Sequence, residues 1–334
     1  MANIIIPPKW AIVPSRETTP EEVFLSRRSF IQKAGVAALT IGGGLTACSQ
    51  SGEEAAAQES SAAPPPEPAP GLYPATRNDR FKLDRPLTGE EIAATHNNFY
   101  EFANSQSHGP SFQQMVKQES EGYAFRPWEI EIGGLCESPR TMTIDEIEKV
   151  APLEERLYRF RCVETWAMAV PWTGYPFSKL LEVVKPKPEA KYIRFVSWLD
   201  KEIKGVKDTP WYEWPYYEGL RMDEAMNEVT LLCTGIYGHA LTPSHGPPAR
   251  IIVPWKYGYK NIKSIVKIEL VEEQPPTFWN DLQPNEYGFY SNVNPEVPHP
   301  RWSQAHEWMI PDKSVRRPTM LYNGYGEYVA GLYA

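Results

Sequence analysis

The sequence predicts an α+β fold, with a mixed, largely antiparallel sheet and short helices. Three observations point there. Strand signals outnumber helix signals, the helical stretches span one or two turns, and no tract between Leu72 and Tyr333 would separate two domains. A single domain over residues 72–334 is the simplest account.

Trp128-Glu129-Ile130-Glu131-Ile132 alternates apolar and polar residues and stops at Gly133-Gly134, the pattern of a half-buried strand. Lys191–Trp198, Val229–Leu232, Arg250–Val253 and Val266–Leu270 are further runs rich in β-branched and aromatic residues. Thr88 with Glu91, and Thr143 with Glu146, have the spacing of a capping box at a helix start. Phe177 to Val184 shows an i, i+3, i+4 apolar face, and no internal repeat is evident.

At 334 residues the chain can bury a core without disulfides or a metal. It carries 34 basic and 42 acidic side chains, a formal charge of −8, with no run of five like charges, which argues against a nucleic-acid partner. An anionic ligand must therefore meet a local basic cluster. No stretch approaches the roughly 18 apolar residues of a spanning helix.

Residues 1–47 read as an export signal. Ser26-Arg27-Arg28-Ser29-Phe30-Ile31, then Gln32-Lys33 and a weakly apolar run from Ala34 to Ala47, follow the basic, apolar, small order of secretory signals. The arginine pair resembles a twin-arginine signal, a route to the periplasm that carries folded proteins and so suggests a cofactor inserted beforehand. Leu45-Thr46-Ala47-Cys48 resembles a lipobox, in which Cys48 would carry a lipid and hold the chain at a membrane; an incidental Cys is the alternative. Residues 48–71, including Pro64-Pro65-Pro66-Glu67-Pro68, cannot bury enough apolar surface to fold and read as a semi-rigid tether. Residues 1–47 hold five basic and three acidic side chains, a net +2, so −10 remains after their removal.

Beyond Cys48 the chain has Cys136, Cys162 and Cys233, and an odd number leaves at least one thiol outside a disulfide. Cys136 and Cys233 could form a disulfide or be two buried thiols. Phosphate-loop, Gly-x-Gly-x-x-Gly and Gly-x-Ser-x-Gly signatures are missing, and the six His lack the spacing of a zinc site. The sharpest local feature is Arg159-Phe160-Arg161-Cys162-Val163-Glu164-Thr165-Trp166. Two nearby arginines would favour the thiolate of Cys162, the form taken by a nucleophile or a soft metal ligand. A buried structural Cys beside surface arginines is the plainer alternative.

Arg161-Cys162, followed by aromatic and proline-rich segments, resembles the molybdenum-cysteine motif of the sulfite oxidase superfamily, which implies a sulfite-oxidase-type molybdopterin-binding domain. Longer blocks narrow the resemblance. Asn97 to Phe102, Arg161 to Trp172, Glu218 to Arg221, Val253 to Gly258 and Asn292 to Gln304 are similar to the bacterial protein-methionine-sulfoxide reductase catalytic subunits, and the likeness runs from about Asn97 to Tyr333. It implies that Cys162 is the thiolate ligand of one molybdenum per chain, the other sulfurs coming from the dithiolene of molybdopterin. It also places Asn97, Tyr100, Glu101, Ser197, His245, Arg250, Asn261, Ile262 and Lys263 at positions that line the cofactor. Arg250 and Lys263 suit the phosphate end of molybdopterin, and backbone N–H groups near Asn261 could add neutral donors. An ordinary ion pair and a surface lysine are the alternatives. Ser197 stands where the family usually has Thr, which keeps the hydroxyl; His245 stands where it often has Asn, which changes size and charge.

The resemblance further implies reduction of methionine sulfoxide in oxidised envelope proteins. Glu164 is the candidate for tuning the centre or delivering protons, with a salt bridge to Arg161 or Arg159 as its competitor. Trp166, Trp211, Tyr212, Trp214, Tyr216 and Tyr217 could wall a shallow pocket for an oxidised Met, although aromatic residues at this density also build cores. The chain has no haem, flavin or iron–sulfur motif, so electrons must come from outside. The family implies a membrane haem-binding subunit that draws on the quinone pool. Three other readings stand beside this one: an enzyme oxidising a small sulfur oxyanion, a cofactor-free thiol enzyme using Cys162, and a non-enzymatic lipoprotein.

Overall fold

The computed structural model describes residues 68–96, 98–102 and 123–334. The export signal, Cys48, most of the tether and Asn97 lie outside the described residues.

Two sheets carry the architecture. In chain order the strands are β1 (Thr76–Arg77), β2 (Glu129–Gly134), β3 (Arg140–Thr143), β4 (Glu154–Arg161), β5 (Trp166–Pro176), β6 (Tyr192–Ser197) and β7 (Tyr217–Arg221). They continue as β8 (Leu231–Ile236), β9 (His239–Ala240), β10 (Arg250–Ile252), β11 (Ile265–Val271), β12 (His306–Met309) and β13 (Arg316–Pro318). One sheet has the order β1-β4-β5-β12-β13, with β8 also paired to β5 and carrying β9 and β10; the other has the order β3-β2-β11-β6-β7. Among the described residues β1 with β4, β12 with β5 and β11 with β2 run parallel, and the remaining pairs are antiparallel. This is the predicted α+β class.

The predicted strands sit at β2, β6, β10 and β11. β2 runs through Gly133-Gly134 rather than stopping before them, and the run at Val229–Leu232 is displaced, since β8 begins at Leu231 and continues to Ile236. The β4–β5 hairpin was not foreseen. β5 is a central strand buried on both faces, so Trp-Ala-Met-Ala-Val-Pro-Trp shows no period-2 alternation, and Pro171 argues against a strand.

The Thr143 box forms: the Thr143 hydroxyl accepts from the Glu146 N–H, and the Glu146 carboxylate accepts from the Thr143 N–H at 2.8 Å. The Thr88 box does not. The helix Glu90–Ala94 starts at Gly89 with no side-chain cap, because the Thr88 hydroxyl accepts from the Ala169 N–H of β5 at 3.1 Å. Tertiary pairing outcompetes the local cap. The helix Ser178–Val184 buries Leu180, Leu181 and Val184 as its spacing predicts.

The main core gathers Tyr158, Trp172, Tyr175, Phe177, Phe195 and Trp255. Two buried ion pairs lie within it, Lys256–Glu224 at 2.6 Å and Lys260–Glu218 at 2.5 Å. They explain the blocks around Glu218 and Lys256 as structure: removing one partner would strand a buried charge. A satellite cluster of Phe99, Phe102, Ile203 and Val206 anchors the segment 98–102. Cys136, Cys162 and Cys233 are buried free thiols, so the disulfide alternative for Cys136 and Cys233 does not hold. Among the described residues no helix is long and apolar enough to cross a membrane.

Candidate functional site

Cys162 is the first residue after β4, in a four-residue turn to β5. Its N–H donates to the Trp166 carbonyl at 2.9 Å, and the Thr165 N–H donates back to the Cys162 carbonyl at 3.0 Å. Thr165 has φ +73°, a left-handed conformation that a β-branched residue rarely adopts. The strain is held from outside by one segment of chain. Trp302 Nε1 and Gln304 Nε2 both donate to the Val163 carbonyl, at 2.9 and 2.8 Å, and the Trp308 N–H donates to the Thr165 carbonyl at 3.0 Å. The Arg161 guanidinium donates to the Cys162 carbonyl. The turn therefore presents Cys162 in one rigid arrangement.

The arginines do not favour the thiolate as expected. Arg161 pairs with Glu307 and bonds Gln304 and Thr319, while Arg159 pairs with Asp84. Burial is the largest influence on the Cys162 thiol and pushes it well above its ordinary value; the neighbouring Glu164 pushes the same way, and Arg161 opposes both more weakly. A thiolate here needs a cation close to the sulfur. Neither arginine bridges to Glu164. Its Oε2 instead accepts from Trp166 Nε1 at 3.1 Å and Asn98 Nδ2 at 3.3 Å, and lies 3.7 Å from Cys162 Sγ.

Two cavities share Tyr100, Trp166 and Trp279 as a wall: the outer one is lined by Glu164 and Thr165 of the turn, the inner one by Phe160 and Trp166 on either side of it, and Cys162 lines neither. The inner one brings together Tyr100, Glu101, His245, Arg250, Asn261, Ile262 and Lys263. These come from segments far apart in sequence. Phe99 and Phe102 are buried three residues apart and pack edge-to-face, which leaves Tyr100 and Glu101 between them at the pocket. Gly205 lets the helix Lys204–Asp208 approach the Tyr100 and Glu101 carbonyls, where any Cβ would collide. Gly246, at φ +83°, likewise makes room for the Lys263 side chain.

The inner pocket is a cradle of buried cations and dipoles. Arg250 is buried, donates to the His245 and Asn261 carbonyls at 2.8 and 2.9 Å, and leaves Nε without a hydrogen bond; among the described residues no carboxylate pairs with it. Burial lowers its guanidinium to about 10. Lys263 Nζ donates to the Asn98 and Ser244 carbonyls, both at 2.9 Å, and burial pushes it well below its ordinary value while pushing Glu101 upward. His245 Nδ1 meets the Thr242 hydroxyl at 2.6 Å, and Nε2 has no hydrogen bond of good geometry, the Ala93 carbonyl being a nearby polar group.

Two expectations need correcting. The Ser197 hydroxyl does not line the pocket; it donates to the Lys263 carbonyl at 2.9 Å and so props the lysine's backbone. Asn261 spends its own N–H on the Gly258 carbonyl and its side chain on Val253, Tyr257 and Gly258, so it shapes the loop rather than offering donors.

A buried guanidinium without a counter-charge costs several kcal/mol unless an anion joins it. The phosphate end of a pterin cofactor would supply that anion, with Arg250 Nε as the donor left for it, so the chemistry of these residues fits the group. His245 adds no charge. Burial, with Lys263 and Arg250 close by, holds its imidazole down at about 3. An unfolded His gains a proton below about pH 6.5 and the folded one does not until about pH 3, so cofactor-free protein loses stability as pH falls through that window. Between about pH 6.5 and 5 the wild type is expected to lose about 2 kcal/mol more than His245→Asn in urea unfolding. Parallel pH dependences for the two proteins would refute the buried neutral imidazole.

The outer cleft, about 670 Å³, is lined by Glu164, Thr165 and an aromatic wall. Of the aromatic residues expected there, Trp166 and Tyr212 line it and Tyr216 faces the inner pocket. Trp211 is exposed, Trp214 packs on Phe278, and the Tyr217 hydroxyl donates to Asp281. The wall is completed by Trp279, Tyr287, Trp302 and Trp308, which sequence reasoning missed. Only Trp302 lay in a block already singled out.

The oxidoreductase molybdopterin binding domain family matches residues 117–279. The chain is similar to the protein-methionine-sulfoxide reductase catalytic subunit MsrP of Burkholderia mallei, 44% identical over 324 residues, covering 96% of this chain and 93% of that one. The corresponding proteins of Ralstonia nicotianae and Campylobacter jejuni are each 43% identical, covering 96% and 94% of this chain and 93% and 96% of theirs. Among solved structures, the sulfane dehydrogenase SoxCD of Paracoccus pantotrophus aligns over 55% of this chain and 47% of that one, at 18% identity and a TM-score of 0.40, too slight a likeness to build on. With 44% identity across nearly its whole length, this chain belongs to the protein-methionine-sulfoxide reductase catalytic subunit family.

Proposed function

We propose that this protein reduces methionine sulfoxide in oxidised envelope proteins to methionine, with Cys162 as the protein ligand of a single molybdenum held by molybdopterin. One observation carries the reading: the strained turn that fixes Cys162 adjoins a pocket whose buried Arg250 has no carboxylate partner. When bound, the molybdenum cofactor supplies two-electron oxygen-transfer chemistry. The chain supplies position and protons. Arg250 and His245 would hold the phosphate end, with Lys263 beside them, and Tyr100, Trp166 and Trp279 line both the inner pocket and the outer cleft that the sulfoxide would enter.

Sulfoxide reduction takes up two protons and two electrons and releases water. Glu164 is the group placed to pass protons, because its carboxylate lines the outer cleft and lies 3.7 Å from Cys162 Sγ. The aromatic wall takes the apolar part of an oxidised Met side chain. Electrons come from a membrane haem-binding subunit fed by the quinone pool. The arginine pair at Arg27-Arg28 directs folded export to the periplasm, and a lipid on Cys48 with the tether after it keeps the domain near that subunit.

The test uses purified, molybdenum-loaded protein with an artificial electron donor and a peptide containing methionine sulfoxide. Thioether formation matched to donor oxidation, one per two electrons, is the expected result. Oxidation of sulfite with no sulfoxide turnover would overturn the reading in favour of a sulfur-oxyanion oxidase.

A further inference from the structure

The outer cleft is unevenly charged. Its carboxylates are both occupied: Glu286 pairs with Arg301 at 2.8 Å, and Glu164 is held at the Cys162 turn. Lys313 and Arg316, on the connection from β12 into β13, also line the cleft, and among the described residues neither has an ion-pair partner. Both are exposed, and Lys313 Nζ lies 5.4 Å from the Trp308 ring centroid.

Arg316 also lines a second cavity of about 280 Å³ that shares Thr165, Trp302 and Trp308 with the cleft. The carboxylate of that cavity, Glu307, is neutralised by Arg85 at 2.5 Å and Arg161 at 3.4 Å. Asp312, next to Lys313 in the chain, lines neither cavity and accepts from the Ser314 N–H at 2.8 Å. A peptide leaving the cleft along this side thus meets two unopposed cations on a chain whose formal charge is −8.

We propose that Lys313 and Arg316 select oxidised Met residues flanked by Asp or Glu, holding the neighbouring carboxylate at the cleft rim while the sulfoxide enters. This rests on the sulfoxide-reductase reading. The rim is solvated, so its attraction acts over about one Debye length and is weakened by salt. Charge pairs of this kind change affinity by factors of about three to ten and leave the chemical step alone.

The experiment compares three peptides that differ only in the residues flanking methionine sulfoxide, which are Asp, Asn or Lys. Wild-type kcat/KM is expected to fall in that order by about fivefold per step, through KM, and the differences should shrink in about 0.5 M salt. In the Lys313→Ala, Arg316→Ala double variant the ratio between peptides should approach one, while Lys313→Arg with Arg316→Lys retains it. Because each ratio is taken within one protein, a loss of active fraction does not mimic the effect. Equal kcat/KM for the three peptides in the wild type, or an unchanged ratio in the alanine variant, overturns the proposal and leaves the reductase reading standing. Failure of the wild type to reduce any of the three overturns both.

Discussion

Replacing Cys162 by Ser is expected to remove both bound molybdenum and sulfoxide turnover, the latter by at least about a thousandfold. The serine hydroxyl is a harder and far less acidic donor than a thiol, so the metal would lose the sulfur ligand proposed for it. The fold should survive. The turn is fixed through backbone carbonyls by Trp302, Gln304, Trp308 and Arg161, and none of those bonds uses the sulfur. Elemental analysis and turnover with an artificial donor, measured on the same preparation, check the claim. Full retention of molybdenum and turnover would remove Cys162 from the site, whereas turnover lost with the metal retained would mean that the pterin sulfurs hold the metal without it. The pushed-up thiol makes this comparison sharp: with burial and Glu164 both opposing ionisation, a nucleophilic cysteine has little support without a cation beside it.

The second large effect is expected at Arg250. Arg250→Met keeps much of the side-chain volume over the Trp172 ring, 4.9 Å from the guanidinium carbon, but removes the buried charge and its bonds to the His245 and Asn261 carbonyls. In cofactor-free protein these changes oppose one another, since unpaired carbonyls cost stability and relief of a buried charge returns it. In loaded protein nothing would offset the loss of the charge-assisted bond to phosphate proposed for Arg250. Thermal unfolding should therefore show a larger destabilisation of the loaded than of the cofactor-free form, by about 3 kcal/mol, with cofactor retention on dialysis falling more than a hundredfold, roughly the equivalent at 1.4 kcal/mol per tenfold. Equal destabilisation of the two forms would show that Arg250 serves the fold alone.

The residues that proved legible in sequence were those whose chemistry is local. Cys162 and Glu164 stand two residues apart, so one turn brings them to 3.7 Å whatever the rest of the chain does. The Thr143 box also needs only its own four residues. Arg250 and Lys263 are singled out by the resemblance and their charge suits a phosphate, yet the burial of Arg250 and, among the described residues, its lack of a carboxylate could be seen only once β8, β10 and the segment 98–102 had closed around it. Ser197 was misassigned because a hydroxyl at the right place along the chain says nothing about the direction it faces; in β6 it points to the Lys263 carbonyl.

Local patterns of apolar and polar residues determined the fold class, and the resemblance of whole sequence blocks pointed to the family. The length of β5 escaped, because a strand covered on both faces loses the alternation by which strands are recognised. Tertiary structure alone decided which aromatic residues face the cleft: Trp279 and Trp308 enter from distant segments, while Trp211, beside Tyr212 in sequence, is left exposed. It also decided that Arg161 serves Glu307 and the Cys162 carbonyl rather than the sulfur. The physical reason is common to both. Which side chains become neighbours, and how much water remains between them, depends on contacts between residues far apart in the chain, as between Arg85 and Glu307, and electrostatics follow distance and desolvation rather than order along the chain.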